Sequence, residues 1–146
     1  FLKEYIQPAQ VLFLEAADKK AVLDGLLARV ESLGLTEDGA VFRKAILDRE
    51  ALLSTGIGVE TAIPHVKSAV VRDFFIMIGV CRNGVPWEAL DDKPVKLVFL
   101  IGGPNDHDRY LRILAKLSLL IKNPQIREQI LSAADPDAVC RIFENR

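Results

Sequence analysis

His65 stands in the run Thr61-Ala-Ile-Pro-His-Val66, one of only two histidines in the chain, the other being His107. An imidazole with an ordinary pKa of about 6.5 is substantially neutral at cellular pH, so one ring nitrogen keeps a lone pair free to attack an electrophile. The other nitrogen must carry the proton, and a backbone carbonyl or carboxylate usually fixes that tautomer. Pro64 restricts the backbone just before the ring and lowers the entropy lost in holding one geometry. The chemistry this fits is the uptake and release of a charged group. Phosphoryl transfer asks little more of a protein than alignment and donors facing the phosphoryl oxygens.

Donors of that kind lie just upstream, in Arg49-Glu50 and Ser54-Thr-Gly-Ile-Gly58. Arg49 offers a permanently charged fork, and Ser54 and Thr55 offer hydroxyls. Gly56 and Gly58 allow backbone N–H groups to approach an anion closely. His107 and Tyr110 complete the constellation from far along the chain. Taken singly, each has a plainer reading. Arg49 within Asp48-Arg-Glu50 reads as a solvated helix charge, Ser54-Thr-Gly as a turn, and a histidine beside a proline as a surface residue.

The elements that must position these residues are legible from periodicity. Residues 11–14 read as a short strand after Pro8. Asp18 opens a helix with apolar positions Val22, Leu23, Leu26, Leu27 and Val30, stopped by Gly34. A second helix, capped by Thr36 with Glu37 and Asp38 behind it, runs to about Leu53 on Val41, Phe42, Ala45, Ile46 and Leu53. Residues 54–58 read as a loop and 61–64 as an extended segment, because Pro64 pushes Ile63 away from helical angles. Residues 74–81 and 95–101 are apolar runs of buried-strand length, with Asn83-Gly84 a turn signal between them. Asn105 or Asp106 can cap a helix over 109–121 with Leu111, Leu114, Leu117 and Leu120 as its core face. Pro124 starts a further helix, and a last one follows Asp135 over about 136–143. Trp87 reads as an anchor beneath a loop. The expected fold is a single-domain α/β sandwich spanning 1–146, a mixed sheet of about four or five strands with helices on both faces.

Composition narrows the function classes. With 146 residues, half of them apolar, the chain supports one core. A formal net charge of -1, from 19 basic and 20 acidic residues, leaves no electrostatic footprint for nucleic acid. No apolar run reaches the roughly 18 residues of a membrane span. Cys81 and Cys140, far apart and without a CxxC pattern, read as buried free thiols of a reducing cytosol. The two histidines lack metal-ligand spacing, so no metal or other cofactor is expected. No GxSxG sequence supports a serine hydrolase. A start at Phe1 rather than Met fits a domain cut from something longer.

Four segments in this order resemble the fructose/mannitol-type IIA domain of the bacterial phosphoenolpyruvate:sugar phosphotransferase system. They are Arg49-Glu-Ala-Leu-Leu-Ser-Thr-Gly-Ile-Gly58, Ala62-Ile-Pro-His65, Asp91-Asp-Lys-Pro-Val-Lys-Leu-Val-Phe-Leu100 and Leu111-Arg-Ile-Leu-Ala-Lys-Leu117. The resemblance implies that His65 is the phosphoacceptor, through Nε2, taking its group from an HPr-type phosphocarrier. It would pass the group to a IIB domain or signal by its phosphorylation state, as a phosphotransferase component. Arg49 matches the family's active-site arginine. The opening residues are similar to the nitrogen-regulatory IIA branch, in which the partner is a regulatory target. Two departures matter. Where the family commonly has a second active-site histidine this chain has Tyr110, with His107 three residues earlier as a substitute. Where relatives often carry Asn-Gly this chain has Val59-Glu60, which puts a negative charge near the expected anion site. These departures motivate an alternative: a IIA-like regulatory binding module in which phosphorylation is impaired.

Overall fold

The architecture follows from two long apolar strands that bury both faces. The computed structural model describes residues 1–89 and 91–146. In chain order its elements are β1 (Val11–Phe13), α1 (Lys19–Ser32), α2 (Gly39–Leu52), β2 (Gly56–Gly58), β3 (Thr61–Ala62), β4 (His65–Lys67), β5 (Phe75–Val85), β6 (Val95–Gly103), α3 (His107–Ile121), α4 (Pro124–Leu131) and α5 (Pro136–Ile142). The six strands form one mixed sheet in the order β1-β5-β6-β3-β2, with β4 also paired to β6. Side chains alternate across these strands. Ile76, Ile78 and Val80 of β5, with Leu97, Phe99 and Ile101 of β6, join the core beneath α3, α4 and α5. Phe75, Met77 and Cys81, with Val98 and Leu100, join the core beneath α1 and α2. The sheet is thus covered on both sides, as expected of strands without an alternating polar face.

The sheet has six strands rather than four or five. Residues 56–58, expected as loop, pair antiparallel with β3, and the extended stretch around Pro64 divides into β3 and β4. Both halves run parallel to β6, β3 beside Leu97 and Val98 and β4 beside Ile101, Gly102 and Gly103. Proline cannot donate a ladder hydrogen bond, which explains the break at Pro64. Its carbonyl still accepts from Ile101 N at 2.8 Å. Asn83-Gly84 is not a turn. It lies within β5 at a register irregularity, with Gly84 at φ +79°, a bulge rather than a reversal.

Helix starts agree with the sequence. Asp18, Asp38, Asp106 and Asp135 each accept a hydrogen bond from an amide of the first turn. The second cap is Asp38, while Thr36 bridges to Val71. On α3 the buried positions are Tyr110, Ile113, Leu117 and Ile121, whereas Leu111 is 49% exposed. Steps of three alone drift around a helix of 3.6 residues per turn, and the 3-4-4 spacing holds one face. Of the expected leucine row, Leu117 is fully buried, Leu114 and Leu120 pack at the edge of that core, and Leu111 faces outward. On α2, Val41 and Leu53 are likewise exposed. Cys81 and Cys140 are buried free thiols in the two separate cores, with the sheet between them. Among the described residues no helix is long and apolar enough to cross a membrane.

Candidate functional site

His65 opens β4, whose parallel register with β6 sets it beside Ile101 and turns its ring toward α3. The Nδ1 atom meets the carbonyl oxygen of Ile63 at 2.5 Å. A carbonyl only accepts, so Nδ1 carries the proton and Nε2 keeps the lone pair. Pro64 lies between donor and acceptor, and its fixed φ limits the ways this two-residue loop can open. Burial lowers the His65 pKa, and the charge of Arg49 lowers it further. The Ile63 carbonyl and, more weakly, Glu50 oppose these effects, and the net direction is down. The ring is accordingly held in its neutral, nucleophilic form.

Two helices approach this ring. From the first turn of α3, Tyr110 lies with its ring centroid 5.9 Å from that of His65, tilted by 46°. Burial pushes the Tyr110 phenol up to about 12, with Arg49 partly offsetting it, so the hydroxyl remains a neutral donor. From the last turn of α2, Arg49 donates through Nη1 to the carbonyl of Leu53 at 2.7 Å. That bond uses one of five guanidinium donors and fixes the side chain, and among the described residues the rest of the fork makes no further hydrogen bond. His107 is held elsewhere: its Nδ1 lies 2.9 Å from Nζ of Lys67, and the ring is exposed. Of the two side chains weighed as neighbours of His65, Tyr110 is the one in ring contact.

The segment between Arg49 and β2 is shaped by a buried carboxylate. Glu50 is 7% exposed and accepts from Thr55 N at 2.7 Å and Thr55 Oγ1 at 2.6 Å, with Lys19 Nζ at 3.5 Å. The Thr55 hydroxyl is thereby committed to Glu50. Ser54 Oγ accepts from Gly56 N at 3.2 Å, a local turn. The Thr55 carbonyl accepts from Ile63 N at 3.0 Å, which ties this segment to the strand leading into His65.

The glycines have packing and turn roles. A Cβ on Gly56 would stand 2.9 Å from Ala89 Cα and 3.1 Å from Trp87 Cδ1, so glycine admits the Trp87 anchor. Gly58, at φ +86°, pairs with Thr61 where β2 turns into β3. It thus lies at the end of that hairpin away from Pro64 and His65. The turn itself is Val59-Glu60, both at positive φ. The Glu60 carboxylate pairs with Lys96 Nζ at 3.1 Å. Lys96 precedes Ile101, the register partner of His65, by five residues, about 16 Å of strand. The charge of Glu60 is therefore remote from the His65 ring.

Lys67 was not singled out from the sequence. Its spacing was the available signal, because residues two apart on a strand share a face. Its ammonium lies 5.4 Å from the Tyr110 ring centroid. Among the described residues no group of three or more His, Cys, Asp and Glu side chains is placed to hold a metal ion.

A neutral imidazole with a fixed tautomer thus stands at the end of a mixed sheet between two helices that supply an arginine and a phenol. Residues 4–146 match the family model described as "Phosphoenolpyruvate-dependent sugar phosphotransferase system, EIIA 2". The chain belongs to this family. It is 37% identical over 133 residues to the fructose-specific EIIABC component of Bacillus subtilis, covering 90% of this chain and 21% of that protein. The chain thus spans about a fifth of that multidomain relative. It is 32% identical over 140 residues to the fructose-specific EIIA component of Haloferax volcanii, covering 92% of this chain and 89% of that one. The crystal structure of nitrogen regulatory protein IIA-Ntr from Neisseria meningitidis superposes with a TM-score of 0.88 at 29% identity, covering 96% of this chain and 97% of that one.

Proposed function

We propose that His65 is the phosphoacceptor of a IIA phosphocarrier, taking a phosphoryl group on Nε2 from an HPr-type carrier. The group then passes to a IIB partner, or its presence signals to a regulatory target. The observation that carries this reading is the Nδ1 contact with the Ile63 carbonyl, which leaves Nε2 unprotonated beside Arg49 and Tyr110. Arg49 neutralises the incoming charge and the Tyr110 hydroxyl donates to a phosphoryl oxygen. Ser54 and Thr55 support the site by holding the Arg49 segment in place.

The partners dock on an apolar rim. Leu52 and Leu53, 84% and 72% exposed, follow Arg49 on α2, and Leu111 follows Tyr110 on α3. Free buried thiols are in keeping with a reducing, cytoplasmic setting. The impaired-module alternative loses one of its motives, because Glu60 is paired with Lys96 away from the ring.

The test is the intact mass of the protein after incubation with phosphoenolpyruvate, enzyme I and HPr. One added phosphoryl group is expected, lost on acid treatment and absent from His65→Ala. No uptake under conditions that load a control IIA domain overturns the reading.

A further inference from the structure

His65 and Lys67 are the first and last residues of β4, register with Ile101 and Gly103 of β6, and so project from one face of the sheet. Both pack against the same phenol, His65 with its ring 5.9 Å from the Tyr110 centroid and Lys67 with its ammonium 5.4 Å from it. The partner of that ammonium is His107 Nδ1, at 2.9 Å. An ammonium has only donors, so His107 accepts through an unprotonated Nδ1, and the contact joins a cation to a neutral ring. Among the described residues Lys67 forms no salt bridge with a carboxylate. Its charge therefore stands uncompensated, two residues along the strand from the proposed acceptor ring.

We propose that Lys67 is a phosphoryl-binding residue that rests on His107 while His65 is unmodified and moves to the phosphoryl oxygens once Nε2 is loaded. This inference rests on the phosphoacceptor reading of His65. In the transfer, the N–P bond of the donor phosphohistidine breaks as the bond from His65 Nε2 to phosphorus forms, and the electron pair returns to the donor nitrogen. Each ring retains its own N–H throughout, so no proton is transferred and Lys67 stays an ammonium that only changes acceptor. The Cα atoms of His65 and Lys67 are about 6.6 Å apart along the strand, within the span of a four-methylene side chain. The ammonium can thus exchange partners without backbone movement. A phosphoryl dianion outcompetes a neutral imidazole as acceptor, because it adds the attraction of opposite charges to the hydrogen bond. Arg49 approaches from α2 and Lys67 from β4, giving the group two cations from separate elements. The exchange also releases His107, the first residue of α3, and so writes the loading state onto an exposed helix end.

The experiment compares wild type, Lys67→Met and Lys67→Arg, loaded with phosphoenolpyruvate, enzyme I and HPr. It reads the initial rate and final extent of His65 phosphorylation by intact mass, and the 15N resonances of the His107 ring before and after loading. Lys67→Met is expected to lose about tenfold in rate or extent, the worth of one hydrogen bond to a charged group, and Lys67→Arg to recover most of it. In wild type the His107 Nδ1 resonance moves on loading, and in Lys67→Met it is the same in both states. A Lys67→Met protein that loads like wild type, or a wild-type His107 resonance that stays put, overturns the inference while leaving the His65 reading intact. A wild type that takes up no phosphoryl group, or a His65→Ala protein that still does, defeats the His65 reading first and this inference with it.

Discussion

Tyr110 faces His65 at a ring separation of 5.9 Å, from the other side of the sheet's end to Arg49. Their titration behaviour diverges. Burial lowers His65 and raises Tyr110 to about 12. Only His65 of this pair therefore changes charge near neutrality. A pair of histidines would share protons and titrate as a coupled unit. The phenol gives a donor that stays neutral across the working range and leaves the reactivity of His65 to its own ionisation.

A single ionisation in the rate profile follows. In the proposed reaction the neutral His65 ring is the nucleophile, and burial lowers its pKa below 6.5. The initial rate of phosphoryl uptake should rise with pH to a midpoint below 6.5 and then stay flat, with HPr phosphorylation kept non-limiting. Tyr110→Phe should keep that shape and lower the plateau by about tenfold, the worth of a hydrogen bond to a charged acceptor. Tyr110→His should add a second ionisation. A two-step profile in wild type would contradict the neutral-phenol account.

The same lowered pKa predicts a stability signature. Between the folded value and 6.5 the unfolded chain binds more protons at His65 than the folded chain does. Stability therefore rises with pH across that window, and the dependence ends above 6.5. Below the window both states are protonated, and the folded state carries a fixed handicap. Urea unfolding of wild type and His65→Gln over a pH series isolates this contribution. The difference between the two proteins should change within the window and level off on either side.

Glu50 carries a load its neighbour's chemistry obscures. It is buried and binds both the amide and the hydroxyl of Thr55, with Lys19 nearby. Glu50→Ala strands those donors and Lys19, and should cost about 3 kcal/mol, the usual price of breaking a buried network. The Arg49-to-Thr55 segment should loosen with it. Glu50→Gln keeps the shape and one acceptor oxygen, and should cost less. Denaturant midpoints measure the loss, and phosphoryl uptake measured well below the unfolding transition separates misplacement of Arg49 from global unfolding.

What the sequence revealed followed the strength of each local signal. The continuous runs that became β5 and β6 had the length and β-rich composition of strands buried on both faces, and Asp18 and Asp135 marked their helix starts, while the second start fell at Asp38 rather than Thr36. The hairpin of β2 and β3 left no such mark, because strands of two and three residues are too short to show a period, and β3 is held by β6, distant in sequence. On α3 the leucine row caught Leu117 but not Tyr110, Ile113 and Ile121, because leucine at every third position imitates a core face, while the side chain that packs against His65 is a tyrosine. His65 and Arg49 drew notice through residue type, and the charge of Arg49 is near enough to help lower the His65 pKa. The glycine-rich segment pointed to anion binding, yet Gly56 answers to Trp87 and Ala89, contacts no local pattern records. Lys67 was hidden for the same reason: its significance depends on the fold of α3 over β4.

Val59 and Glu60 stand at φ +49° and +58°, a left-handed pair in a two-residue hairpin turn. Such turns favour Asn-Gly, and a β-branched valine there is strained. Replacing the pair with Val59→Asn and Glu60→Gly removes that strain but also breaks the Glu60–Lys96 pair, which is partly exposed and worth little. The double variant should gain about 1 kcal/mol. Urea midpoints provide the measurement, and phosphoryl uptake should be unchanged, because the turn lies remote from His65.

Leu52 and Leu53 follow the helical turn that holds Arg49, and they are 84% and 72% exposed. Exposed leucines contribute little to the folding of the isolated domain, so their value must be sought in what they meet. Leu53 also presents the carbonyl that fixes Arg49, and a side-chain change there leaves that carbonyl in place. Leu53→Asp and Leu52→Asp should therefore leave thermal stability within about 0.5 kcal/mol of wild type, the usual range for surface substitutions. If a carrier protein docks over this rim, each should raise the apparent KM for phosphorylated HPr by about tenfold or more, since a buried apolar anchor and a new unpaired charge both count against binding. The kcat at saturating carrier should change little, because the reacting groups stay where they are. Equal KM values for wild type and both variants would place the docking surface on another face of the domain, and Leu111→Asp on α3 would be the next position to measure.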